Sequence, residues 1–237
     1  MMPCSLRHHH FQEILKKALA NGYRFHTCAE YARRRPENDL IAVLRHDIDV
    51  QPESAPGMAR IEAGLGIAGT YFFRLHANEY NALSHENLAI MRDLVAMGHE
   101  VGLHAEPLDL RASCGIDPAT SVRAAAHVLG DLLGQPIVGI ASHNDITPDN
   151  NLDFFQEVPA RDLGLAYEAY DQDGLDLFDN SWYVTDGYFW RWRAFDHGIL
   201  TDSDDCLCSH VAAARTPLYC LFHPHLWYDR HAHRVRY

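Results

Sequence analysis

The sequence predicts an α/β protein built on a parallel sheet with right-handed crossovers, about seven strands in all, able to close into a barrel. Three observations predict it. Short apolar runs alternate with segments of helical period, the connections between runs are longer than a hairpin allows, and several runs finish in Asp or His. In α/β barrels the functional groups gather at those C-terminal strand ends. A chain of 237 residues fits one such unit. We expect a single domain over 1–237, with a core of about 38–228 and N-terminal helices within 8–35.

The first helix is predicted over 11–20, where Phe11, Ile14, Leu15, Ala18 and Leu19 share a face, and it stops at Asn21-Gly22. Thr27 offers an N-cap for a second, short helix through Tyr31. The apolar run 40–44 leads into Arg45-His46-Asp47-Ile48-Asp49 and reads as a buried strand ending in polar residues. A helix over 54–65 and an aromatic strand over 69–74 follow. Ser84 caps a helix with Leu88, Met91, Leu94 and Val95 on one face, and Gly98 stands where a left-handed C-terminal residue belongs. A strand over 99–104, a helix over about 119–133 and a strand over 137–141 complete the regular part. The last strand runs into Ser142-His143-Asn144. Further strands are predicted over 165–170, 182–185 and 218–222, the last running into His223-Pro224-His225, while 196–215 reads as a polar, irregular surface loop.

A hydrophobic fraction of 47% with 22% charged residues is that of a globular protein rather than a disordered one. The formal charge of −12 disfavours nucleic acid as a partner. The Arg33-Arg34-Arg35 run reads as a solvated helix end. No apolar run reaches the roughly 20 residues of a membrane span, and the first ten residues lack the apolar core of a signal peptide, so the expected location is cytoplasmic. The cysteines at 4, 28, 114, 206, 208 and 220 show no C-x-x-C pair and are expected as free thiols. Cys206-Leu207-Cys208 could bind a soft metal, but on a strand alternate positions merely share a face. The histidines at 8–10, 231 and 233 give no site.

Asp47 and Asp49, two apart on a strand, share a face, so one can bind a metal while the other accepts a proton. His104 and His223 end two other predicted strands, and this convergence marks a site. Carboxylate and imidazole ligands suit zinc or another late divalent ion with an open position for water. Such an ion lowers the pKa of water from about 15.7 toward roughly 7. His223, when protonated, is the candidate general acid toward a departing amine or alkoxide.

These runs resemble the polysaccharide deacetylases of the fourth carbohydrate esterase class. The Arg45-to-Asp49 run looks like a variant of that family's first motif, usually Thr-Phe-Asp-Asp, and 98–104 (Gly-His-Glu-Val-Gly-Leu-His) closely resembles its Gly-His-Glu-Ile-Gly-x-His segment. Gly69-Thr70-Tyr71-Phe72-Phe73 resembles its second strand, and Leu221-Phe222-His223 its late motif. The resemblance implies a distorted (β/α) barrel of about seven parallel strands, Asp47 as catalytic base, Asp49 and His104 as metal ligands and His223 as catalytic acid. It also implies one divalent metal, zinc first with cobalt, nickel or manganese as alternatives, and hydrolysis of an acyl group, N-acetyl above all, from a sugar or sugar intermediate in surface-polysaccharide biosynthesis.

The chain departs from the pattern at two points. The family's second metal histidine lies four residues after the first, where this chain has Leu108, and its Arg-x-Pro motif is not visible. His143 is the expected third ligand, with Glu106 and His225 in reserve. Arg45 or Arg74 can stand for the missing arginine, with Asp186 a possible partner for it. Arg45, Asp186 and Trp227 are expected at the substrate, Trp227 standing out among Trp190, Trp192 and Tyr228 as a surface for stacking a sugar ring. Two further readings stay open: a degenerate barrel that binds a glycan without turnover, which would lack a stoichiometric metal, and a metal hydrolase of another amide, which would have a pocket too narrow for a sugar.

Overall fold

Every residue of the strand that carries Arg45 to Ile48 is buried, on both faces, as in the centre of a parallel sheet covered by helices. The computed structural model describes residues 4–36, 39–143, 150–171, 174–188 and 191–229. In chain order the elements are α1 (His8–Ala20), β1 (Arg24–His26), α2 (Cys28–Arg34), β2 (Ile41–Ile48), α3 (Ala55–Gly64), β3 (Thr70–Arg74), α4 (His85–Ala96) and β4 (Glu100–Ala105). They continue with α5 (Pro107–Cys114), α6 (Pro118–Leu133), β5 (Gly139–Ser142), α7 (Asn151–Glu157), β6 (Tyr167–Glu168), β7 (Trp182–Tyr188), β8 (Arg191–Asp196), β9 (Ile199–Leu200), α8 (Leu207–Ala212) and β10 (Leu218–Phe222).

The sheet order is β6-β5-β4-β3-β2-β10-β7-β8-β9, with β1 beside the start of β2. The seven strands from β6 to β7 run parallel, in agreement with the sequence, and β8 and β9 add an antiparallel edge. Of these, β9, together with α8, occupies the stretch over 196–215 read as a surface loop. Ile199 and Leu200 are 72% and 54% exposed, so β9 carries no burial pattern to read.

The parallel sheet curls into a distorted barrel. Ala141 and Tyr167, from one end of the parallel order, share an apolar cluster with Tyr183 and Tyr219 from the other, together with Val43 and Phe72. Tyr219 Oη donates to the Ala169 carbonyl at 3.2 Å, and the Tyr170 and Tyr183 hydroxyls meet at 3.3 Å. Side chains therefore span the gap between β6 and β7. Gly102 permits this interior: a Cβ there would come within 2.5 Å of the Phe72 ring.

Strand alternation sorts the residues of β2. Ile41 and Val43 face the barrel interior, while Ala42, Leu44 and Ile48 join the clusters beneath the outer helices. Arg45 and Asp47 continue the inward series. His46 faces outward, stacks on Tyr71 and reaches Glu62 of α3 at 2.8 Å. It is a buried packing residue. The caps stand where the sequence put them: Thr27 and Glu30 form a capping box on α2, the Ser84 side chain accepts from the Asn87 amide, and Gly98 has φ +91°. Among the described residues no helix is long and apolar enough to cross a membrane.

Candidate metal centre and its acid and base

Arg45 lies beneath Asp47 on the same face of β2, and the two form a fork. Nε donates to Oδ1 at 2.8 Å and Nη2 to Oδ2 at 2.6 Å. The guanidinium is fully buried, 4.3 Å from the Tyr170 ring centroid and 5.5 Å from that of Phe72. Burial pushes the Asp47 carboxyl up, but Arg45 and His104 outweigh it and hold the group below its ordinary value.

His104, near the end of β4, donates from Nδ1 to the carbonyl of Ala141 on β5 at 2.9 Å, so Nε2 is the nitrogen that faces Asp47 Oδ2 at 3.3 Å and Asp49 Oδ1 at 3.4 Å. His143 stands just past β5, where its backbone amide donates to the Ala105 carbonyl. Its Nδ1 lies 2.9 Å from Glu106 Oε1 and its Nε2 3.9 Å from Asp49 Oδ1. Arg74, ending β3, holds Glu106 through Nε at 3.1 Å and Nη2 at 2.7 Å, and donates to the Asp49 carbonyl at 3.0 Å. Burial raises the Glu106 pKa, but His143 and Arg74 bring it below its ordinary value.

Donor atoms of Asp49, His104 and His143 all lie within 4.8 Å of one another. They fit a cation on two grounds. Asp49 Oδ1 is buried and has no hydrogen-bond partner, while two imidazole nitrogens converge on it. Around it, among the described residues, the four carboxylates of Asp47, Asp49, Glu106 and Asp186 meet the two guanidiniums of Arg45 and Arg74 and the His223 imidazole, which leaves the centre short of positive charge. The Asp49 carboxyl itself is held well below the usual range: burial opposes this, but the histidines at 104, 223 and 143 prevail.

On the other side of Asp49, His223 presents Nε2 to Oδ2 at 3.6 Å. Its Nδ1 lies 2.7 Å from Asp186 Oδ1, and its backbone amide donates to both Asp186 oxygens at 3.0 and 3.1 Å. Trp227 Nε1 donates to Asp186 Oδ2 at 2.6 Å. Burial pushes His223 down, but Asp186 first, then Asp49 and Asp47, push it up to about 9. The imidazole is therefore a proton carrier at neutral pH.

The structure corrects the expected substrate contacts. Arg45 and Asp186 are completely buried and Trp227 is 4% exposed; they hold Asp47 and His223 rather than line a groove. Among the described residues Asp186 pairs with no arginine, its oxygens being taken by His223 and Trp227. Trp192 packs in the outer core against Phe222 and Trp227, and Trp190 lies outside the described residues. Of the reserve ligands, Glu106 orients His143, and the His225 ring lies 6.0 Å from His223, outside the cluster. Leu108, four residues after His104, is a core residue in the first turn of α5. The roles of Arg74 and Glu106 in holding His143 were not read from the sequence. The only local signal was their place at strand ends.

No family model matches the chain, and a comparison with curated proteins returns no significant relative. Similar solved structures include deacetylases. One is the Streptococcus pyogenes deacetylase PplD in complex with acetate, 18% identical, covering 62% of this chain and 67% of its own, TM-score 0.47. IcaB from Ammonifex degensii is 16% identical over 68% of this chain and 74% of its own, TM-score 0.48. The polysaccharide deacetylase Bc1974 from Bacillus cereus is 13% identical over 77% and 78%, TM-score 0.48. Likeness at this level fixes neither activity nor substrate.

Proposed function

We propose that this protein is a metal-dependent hydrolase of the polysaccharide-deacetylase type that removes an acyl group, N-acetyl above all, from a sugar derivative. The observation that carries the reading is the convergence of Asp49, His104 and His143 between an arginine-held carboxylate and an aspartate-held imidazole.

Asp49 Oδ1 and the Nε2 atoms of His104 and His143 would hold the ion. Nitrogen and oxygen donors of this kind suit zinc, with cobalt, nickel or manganese as alternatives. When bound, such an ion supplies Lewis acidity, lowering the pKa of water and polarising an acyl carbonyl. Asp47 takes the proton of the attacking water, and Arg45 keeps that carboxylate ionised and turned toward the centre. His223 delivers its Nε2 proton to the departing nitrogen, with Asp186 fixing the ring by Nδ1. The substrate class, a sugar intermediate of surface-polysaccharide synthesis, rests on the motif resemblance of the Arg45-to-Asp49 and 98–104 runs.

The test is elemental analysis and acetate release from N-acetylated amino sugars, for wild type, Asp49→Ala and Asp47→Asn. Asp49→Ala should lose one equivalent of metal, whereas Asp47→Asn should keep it and lose about 10²–10⁴ of the rate. If Asp47→Asn releases the metal and Asp49→Asn does not, the two roles are exchanged. Full turnover in Asp49→Ala ends the reading.

A further inference from the structure

A second group of metal-binding side chains lies away from the strand ends. Cys4 precedes α1, His10 stands in its first turn, Cys206 is the residue before α8 and Cys208 is its second residue. The Cys-Leu-Cys run is thus at a helix start, not on a strand. Cys4 Sγ lies 3.4 Å from Cys208 Sγ, and His10 Nε2 lies 3.3 Å from Cys206 Sγ. Donor atoms of all four are within 4.8 Å of one another. With Zn–S near 2.3 Å and Zn–N near 2.0–2.1 Å, the donors of a tetrahedral zinc site sit roughly 3.3–3.8 Å apart. The arrangement is within reach of that geometry by side-chain rotation.

We propose that Cys4, His10, Cys206 and Cys208 form a structural zinc site, distinct from the centre at Asp49. Three thiolates and one imidazole are a donor set that selects a soft, tetrahedral ion. Binding releases three thiol protons, so three thiolates meet a doubly charged ion and the site carries one net negative charge. The surroundings suit it. Glu13 lies 3.8 Å from His10 Nδ1, on the side of the ring away from the thiols.

The four residues come from chain segments about two hundred positions apart, so the ion would pin the N-terminal segment to α8. That segment backs the acid side of the catalytic centre. The His8 amide donates to the Tyr228 carbonyl, the Tyr228 amide to the Leu6 carbonyl, and Phe11 packs edge-on against Phe222 and Trp227. Trp227 in turn holds Asp186 against His223.

The experiment is cobalt substitution of the metal-stripped, reduced full chain, read by the intense near-ultraviolet thiolate-to-cobalt charge-transfer band. The centre at Asp49 has no sulfur ligand and cannot give that band. Wild type and Asp49→Ala should both show it, and at saturating cobalt Cys4→Ser and Cys208→Ser should each lower its intensity by about a third, one thiolate of three being gone, with cobalt affinity at this site weakened about tenfold or more. Cys4 is exposed, so Cys4→Ser should keep the wild-type circular dichroism, and it carries the test even if Cys208→Ser fails to fold. No band in wild type, a band of undiminished intensity and affinity in Cys4→Ser, or a metal-free Cys4–Cys208 disulfide in protein purified without reductant would each overturn the proposal.

Discussion

Arg45 holds Asp47 by two parallel hydrogen bonds at 2.8 and 2.6 Å, with both side chains almost wholly removed from solvent. Arg45 stands two residues before Asp47, the residue proposed as base, and is one of the two arginines expected to stand for the missing Arg-x-Pro arginine. Arg45→Lys keeps the charge and loses the fork, so kcat should fall about tenfold to hundredfold with metal retained. Arg45→Met leaves Asp47 buried without its counter-charge and should destabilise the fold by about 3–5 kcal/mol in chemical denaturation. Equal kcat in Arg45→Lys and wild type would show that the fork does not orient the base.

Glu106 is gripped by Arg74 and lies 2.9 Å from His143 Nδ1, so it sets which nitrogen of His143 faces Asp49. Glu106→Gln should weaken metal binding about 10–100-fold in a chelator competition, and it should also lower the thermal midpoint of the metal-free protein, since Arg74 loses its buried counter-charge and keeps only Glu79. Unaltered affinity would remove His143 from the ligand set.

Asp186 raises His223 to about 9, so the acid form persists above neutrality and the rate should fall on the alkaline side as the proton is lost. Asp186→Asn removes the charge but keeps an acceptor for Nδ1. The His223 pKa should drop, and the alkaline limb of kcat/KM should move to lower pH by about two units. An unmoved limb would assign it to another group.

His99 is buried as the neutral tautomer: the Gly69 amide donates to Nδ1 at 3.1 Å, so Nε2 carries the proton and donates to the Ala59 carbonyl at 3.1 Å. Burial lowers its pKa from 6.5, with Glu62 opposing. On acidification through 6.5 the unfolded chain takes up the proton first. Stability should therefore fall with pH in that window, by up to about 1.4 kcal/mol per unit, until the native imidazole protonates too. Urea midpoints for wild type and His99→Asn should show a shallower acid-side slope in the variant; parallel slopes would clear His99 of the effect.

Much of this was legible locally. Thr27 and Ser84 announced their helices because a capping side chain needs only its own next turn. The pairing of Asp47 with Asp49, and His104 on its strand, followed from the two-residue period of a strand. The short α5 and α7 and the β8–β9 edge escaped notice, because elements of so few residues hardly repeat a period.

By itself, then, the sequence determined the parallel α/β layout, the strand ends that carry Asp49, His104 and His223, and the departure at Leu108. Tertiary structure alone decided the rest. It set β5 beside β4, which brings His143 to Asp49. It curled the sheet so that Arg45 lies buried under Tyr170 and turns to Asp47 instead of a ligand, and it brought Cys4 to Cys208. Periods and caps act within a turn or a pleat, whereas these contacts depend on strand order and closure, which no local pattern encodes.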